Sequence, residues 1–158
     1  MNKIVLPILL VIILTGCNVF PTSVHKQPEG KVIFDDEHYT MISSNYEWKN
    51  GDYEVSLKGS SDISEIADNF ETLEVEKGDI LKFKIDKNPI SINATKMNED
   101  GTIENVEIKD EKITMPSKEG YYIYELNTLW DKGKETFVFD VNVKIKNPPN
   151  HIPFLLPL

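Results

Sequence analysis

One thiol, three imidazoles and 26 carboxylates form the reactive inventory of this 158-residue chain. Cys17 is the sole cysteine, so neither an intrachain disulfide nor a cysteine-rich zinc site can form. It follows an apolar run from Ile4 to Leu14, interrupted only by Pro7 and preceded by Lys3. About 11 apolar residues at ~1.5 Å each reach roughly 16 Å, half of a ~30 Å hydrocarbon core. The segment therefore reads as a secretory signal closed by the small residues Thr15 and Gly16. A thiol at that point supplies the strong nucleophile that acylation requires. Hydrolytic triads fail on spacing. His25, His38 and His151 lie at the margins of the strand-forming region, and no serine sits in a Gly-x-Ser-x-Gly turn. Carboxylate pairs could perform acid–base work, but the acids flank turns or alternate with lysines, as a solvated face does. Asp35-Asp36-Glu37-His38 would point to alternating sides of an extended segment and reads as a solvated loop. Asn98-Glu99-Asp100-Gly101 echoes part of a calcium loop, yet Lys96 stands in the first ligand place and a β-turn accounts for the same residues. No metal and no cofactor are expected.

Leu14-Thr15-Gly16-Cys17 resembles the lipobox of bacterial lipoproteins. The resemblance implies a diacylglyceryl group on the Cys17 sulfur, recognition of Leu14, Thr15 and Gly16 by the lipoprotein signal peptidase, and removal of residues 1–16. Two acyl chains, at about 0.8 kcal/mol per buried CH₂, suffice for stable anchoring. The expected location is the outer face of the cell membrane, lipid-anchored. The chain is acidic, with 26 acids against 17 bases and a net charge of −9. All of those bases are lysines, so the planar donor suited to phosphates and base edges is missing. Nucleic acid is excluded as a partner. An acidic body is also not drawn to anionic lipid, which makes it a domain hanging from its anchor.

The elements behind these residues are short and strand-like. Residues 17–38, with Pro21, Pro28 and Gly30, read as a tether, although Val32-Ile33-Phe34 has strand character. Asn50-Gly51 predicts a two-residue hairpin turn between Tyr46-Glu47-Trp48 and Tyr53–Leu57, with Tyr46, Trp48, Tyr53, Val55 and Leu57 inward. Asp62 to Phe70 is the one plausible helix of the mature chain. Asp62 and Glu65 form a capping box, and Ile63, Ile66, Ala67 and Phe70 share a face suited to covering a sheet. Alternation then places Leu81, Phe83 and Ile85, Tyr122, Tyr124 and Leu126, and Phe137, Phe139, Val141, Val143 and Ile145 inward. The expected fold class is all-β: an antiparallel β-sandwich of 8–9 short strands with one short helix over residues 39–146. Residues 147–158 carry four prolines among Ile152, Phe154, Leu155, Leu156 and Leu158 and form a separate apolar tail. It folds back over its own domain, touches lipid or docks on a partner.

Gly120-Tyr121-Tyr122-Ile123-Tyr124 resembles the start of strand F in immunoglobulin-like domains. The resemblance implies a tyrosine corner at Tyr122 and puts Tyr124 where antibody domains keep a cysteine. More broadly, residues 46–145 resemble a domain of uncharacterised surface lipoproteins of low-GC Gram-positive bacteria, on Tyr46, Trp48, Pro116, Gly120, Tyr122, Tyr124, Trp130, Gly133, Phe137 and Phe139. Trp48, Trp130, Tyr121 and Tyr122 are weighed as a ligand face, but such rings more often fill the core. Tyr121, opposite in parity to Tyr122 and Tyr124, is the exposed candidate binding residue. With no converging reactive groups in view, the expected function is a non-catalytic, membrane-anchored module, not an enzyme. Its expected partners are the membrane, through the lipid, and a cell-envelope protein or wall component. The alternatives are a surface enzyme or small-ligand carrier using an acidic cleft, or an immunoglobulin-like protease inhibitor or stress sensor.

Overall fold

The computed structural model describes residues 26–145. Leu14, Thr15, Gly16, Cys17 and the tail at 147–158 lie outside them. Eleven strands and one helix make up the described residues: β1 (Gly30–Phe34), β2 (Glu37–Thr40), β3 (Ile42–Asn50), β4 (Tyr53–Leu57), α1 (Ile63–Ala67), β5 (Leu73–Glu76), β6 (Ile80–Ile85), β7 (Ser91–Met97), β8 (Ile103–Val106), β9 (Lys112–Thr114), β10 (Gly120–Trp130) and β11 (Gly133–Lys144). They form an antiparallel, immunoglobulin-like β-sandwich. One sheet has the order β2-β1-β6-β9. The other runs β4-β3-β11-β10-β7-β8, with β5 added in parallel beside the end of β11, where β3 no longer pairs with it.

Alternation explains the core. Val32, Leu81, Phe83, Ile85 and Ile113 of the smaller sheet face Tyr46, Trp48, Tyr124, Leu126, Phe137, Phe139, Val141 and Val143 of the larger one. Tyr124 is 0 % exposed and stacks on Phe139 at 4.9 Å with an interplanar angle of 5°. Tyr122 Oη donates to the Lys118 carbonyl at 3.0 Å, a tyrosine corner closed over four residues. The hairpin forms at Asn50-Gly51, where Gly51 takes φ of 63°, a left-handed value that glycine tolerates. A later hairpin brings β10 and β11 together at Gly133, where an added Cβ would lie 2.2 Å from the Glu47 carbonyl oxygen. Only hydrogen fits there.

Several expectations need correction. The strands number eleven among the described residues, where eight or nine were expected. The tether does not extend to residue 38, because Gly30–Phe34 pairs with both β2 and β6 and Val32 is buried. The helix spans Ile63–Ala67 only. Asp62 caps it, accepting from Ser64 N at 2.9 Å, but Glu65 takes the Ser60 hydroxyl at 2.7 Å in place of the Asp62 amide. Tyr53 and Leu57 keep the expected strand face yet are exposed, because no described residue covers the sheet margin where they stand, and Ile145 is exposed just beyond the end of β11.

A register shift between Glu135 and Phe137 sets two residues of β3, Ser44 and Asn45, against Thr136. Such a bulge reverses the facing of a strand. Tyr46 and Trp48 consequently face the core, whereas Ile42 lies on Val138 at the outer face of the larger sheet. There α1 covers a second, smaller cluster of Ile66, Ala67, Ile123 and Val138.

Candidate functional site

The outer face of the larger sheet divides into two halves. At one end α1 lies over Ile123 and Val138, and Tyr121 belongs to this covered end. The parity argument for Tyr121 holds but its expected exposure does not: it is half-buried, and its hydroxyl donates to the Asp140 carboxylate. Burial and that bond to Asp140 both raise the Tyr121 pKa. Tyr121 is a structural prop beneath the helix. It lines no cleft.

Asp140 is 1 % exposed, with Oδ2 accepting from Tyr121 and from Thr72 Oγ1 at 3.3 Å and Oδ1 without a hydrogen-bond partner among the described residues. Burial raises its pKa, and the bonds from Tyr121 and Thr72 oppose the rise. A raised folded value means that the stability conferred by this group is complete below the ordinary carboxyl value near 3.8 and is lost as pH rises through the folded value. Asp140→Asn removes the charge and keeps an acceptor for Tyr121. It is expected to gain stability relative to the parent chain between pH 4 and pH 7, by about 1 kcal/mol. Urea unfolding at both pH values checks this. An identical difference at both would contradict it.

The other end of the same face is open and polar. Register sets Asn127 of β10 directly between Asn93 of β7 and Thr136 of β11, with Asn45 of the bulge beyond. The next row holds Ser91, Leu129, Lys134 and Glu47. Together with Leu57 and Lys58 these residues line a cleft of about 500 Å³, within the roughly 300–1,000 Å³ range of small-molecule sites. Thr136 Oγ1 donates to Asn127 Oδ1 at 2.8 Å, which directs the Asn127 Nδ2 donors away from Thr136. Lys134 Nζ lies 3.1 Å from Glu47 Oε2, so the charges in the floor largely cancel. Glu125, the next residue of β10 on this face, has its pKa raised by burial.

Beneath this cleft, facing the core, Glu135 is 1 % exposed and accepts from Ser43 Oγ at 2.6 Å and Gln27 Nε2 at 2.7 Å through Oε1. Burial raises its pKa, opposed by those two bonds and by Lys87. Its neighbour across the strands, Tyr46, is pushed up to about 12 by burial and by the Glu135 charge.

A second cleft, of about 540 Å³, lies between the β7–β8 hairpin and the loop before β10. It is the acidic one, holding Glu99, Asp100, Glu104 and Glu119. Its polar groups serve the turn itself. Lys96 Nζ binds Glu104 at 2.8 Å and Asn98 Oδ1 at 2.9 Å, and Asp100 Oδ1 accepts from the Thr102 amide at 3.0 Å and hydroxyl at 2.6 Å. Lys96 and Asn98 hold the Glu104 carboxyl below its usual range, and Thr102 does the same for Asp100. The side chains that echoed a calcium loop are thus engaged by neighbours: Asn98 by Lys96, Thr102 and Glu104, Asp100 by Thr102, and Glu99 by the Tyr121 amide. Trp48 and Trp130 are buried against each other at 5.7 Å and form no ligand face.

No signal of the amide row stands out along the sequence. Asn93 lies within an ordinary alternating stretch and Asn127 is 34 positions further on. Only the strand order brings them together.

No family model and no curated protein match the sequence. Two solved structures are similar in fold. One is a CBM33 protein of Bacillus amyloliquefaciens in complex with Cu(I), at TM-score 0.36 and 16 % identity, covering 49 % of this chain and 58 % of that one. The other is the catalytic domain of a lytic polysaccharide monooxygenase of Listeria monocytogenes, at TM-score 0.41 and 15 % identity, covering 63 % and 80 %. The chain spans little more than half the length of the first. The expectation of a non-catalytic adaptor and of a chain that is not an enzyme, which had rested on the lack of converging reactive groups, is not kept beside a catalytic domain among these structures. Copper itself is taken by imidazole, thiolate and thioether donors. Among the described residues no three His, Cys, Asp or Glu side chains converge, His38 stands alone on the edge strand β2, and Met41 and Met115 are buried in the core. The described residues do not fit copper. What the chain shares with these two structures is strand architecture.

Proposed function

We propose that this chain is a surface domain that takes a small, uncharged, hydroxyl-rich ligand of the saccharide class into the amide cleft. The observation that carries the reading is the row Asn93–Asn127–Thr136 with Asn45 at its end. Asparagine is depleted in strands, yet two of these amides sit face to face on neighbouring inner strands of the larger sheet. A local choice that opposes the fold marks a place kept for another purpose. Primary amides offer donor and acceptor together, the pairing a vicinal diol presents in return. The paired charges of Glu47 and Lys134 and the exposed Leu129 suit a neutral ligand with an apolar flank. Calorimetric titration with uncharged oligosaccharides tests the reading. Binding that survives high salt supports it, and binding confined to charged ligands contradicts it.

A second reading gives the cleft a chemical step. Glu125, one row from Asn127 and held protonated to higher pH by burial, would protonate the leaving oxygen of a bound glycoside while a water attacks the anomeric carbon and gives up its proton to solvent. Glu125→Gln would then lower turnover of a bound oligosaccharide and leave its affinity unchanged.

The proposal includes the address. Cys17, read as acylated after cleavage behind Leu14-Thr15-Gly16, would hold the domain at the outer face of the cell membrane, where wall saccharides are within reach. Cys17→Ser is expected to move the protein from the detergent phase to the aqueous phase on phase separation. Unchanged partitioning would remove the anchor from the account.

A further inference from the structure

We propose that two copies of this chain associate edge to edge through β4, about a two-fold axis at Val55. β4 closes the larger sheet at one side, so its outer backbone groups have no strand partner within the described residues. Tyr53 and Leu57 are 51 % and 53 % exposed, although Tyr46, the cross-strand partner of Leu57, and Trp48, the partner of Val55 between them, are buried. Proteins usually blunt such an edge with proline, a bulge or an inward-pointing charge. Tyr53-Glu54-Val55-Ser56-Leu57 has none of these on its apolar face.

The sequence of the edge is complementary to itself. Antiparallel pairing across Val55 sets Asp52 opposite the partner subunit's Lys58 and Tyr53 opposite the partner subunit's Leu57. Glu54 then meets the partner subunit's Ser56. The axis repeats each contact, giving two opposite-charge pairs at the ends and two aromatic–aliphatic pairs beside the centre. Moving the register so that Glu54 meets itself would set like charges together at the middle. Full overlap of the five-residue strand and charge complementarity select the same pairing.

Sedimentation of the full chain carrying Cys17→Ser, followed over a dilution series, tests the proposal. A reversible monomer–dimer equilibrium is expected. Asp52→Lys or Lys58→Asp alone places like charges at both ends and is expected to raise the dissociation constant about tenfold. The two substitutions together re-form the pairs with reversed sign and are expected to restore association. Circular dichroism of each variant verifies the fold. A monomer at every concentration overturns the proposal, and so does a dimer whose dissociation constant ignores the single changes or is not restored by the double one.

Discussion

Truncating Tyr124 to alanine is expected to cost about 3–5 kcal/mol of folding stability, the range for removing a large ring from a packed core. The ring is 0 % exposed and lies flat on Phe139 at 4.9 Å. Its neighbours leave little room to collapse, since Phe70 packs on the far partner at 6.2 Å and Tyr122 is pinned by its bond to the Lys118 carbonyl. The resemblance to strand F of immunoglobulin-like domains puts Tyr124 where antibody domains keep a disulfide cysteine. This chain has a single cysteine at position 17, far from the site in sequence, and here stacks two rings from the neighbouring strands β10 and β11 of one sheet. Tyr124→Phe keeps the stack and is expected to lose much less. Urea unfolding of the three proteins measures the effect, and a loss below about 1 kcal/mol for Tyr124→Ala would mean that the stack is not a main support of the core.

The cleft predicts the opposite relation between stability and function. Asn93→Thr and Asn127→Thr replace residues poorly suited to strands with one that is well suited. Each is expected to leave stability equal or higher by a few tenths of a kcal/mol. Each is also expected to weaken a neutral oligosaccharide by about tenfold, since one lost hydrogen-bonding group is worth about 1.4 kcal/mol at the upper end of the usual range. The double variant is expected to lose binding altogether. Were these substitutions to destabilise the fold, the amides would be structural, and the reason offered for their presence would fail.

Much of the fold is legible along the chain because its signals are local. Asn50-Gly51 marks its turn, Asp62 caps its helix, and the alternation through Tyr122 to Leu126 and Phe137 to Val143 gives the buried face residue by residue. The tyrosine corner needs only four residues of chain. What escapes the sequence depends on partners distant in it. Parity gives the face on which Tyr121 lies but not the helix that covers it. Alternation assigns Tyr53 and Leu57 to the inner face but not the width of the opposite sheet, which leaves them bare. The bulge at Ser44-Asn45 exchanges the faces of β3 midway, and only its pairing with β11 reveals this. Residues 30–38 read as tether because prolines precede them and acids interrupt them, yet pairing with β6 draws β1 into the sandwich. The amide row is the extreme case. Asn45, Asn93, Asn127 and Thr136 come from four strands, and their convergence is a property of strand order alone.

The most direct test follows the side-chain amide resonances of a ¹⁵N-labelled chain by nuclear magnetic resonance during titration with an uncharged oligosaccharide. The account predicts saturable shifts of the Nδ2 signals of Asn93, Asn127 and Asn45, with those of Asn98 in the acidic cleft unmoved. Shifts confined to the acidic cleft, or none at all across a series of neutral saccharides, would contradict it.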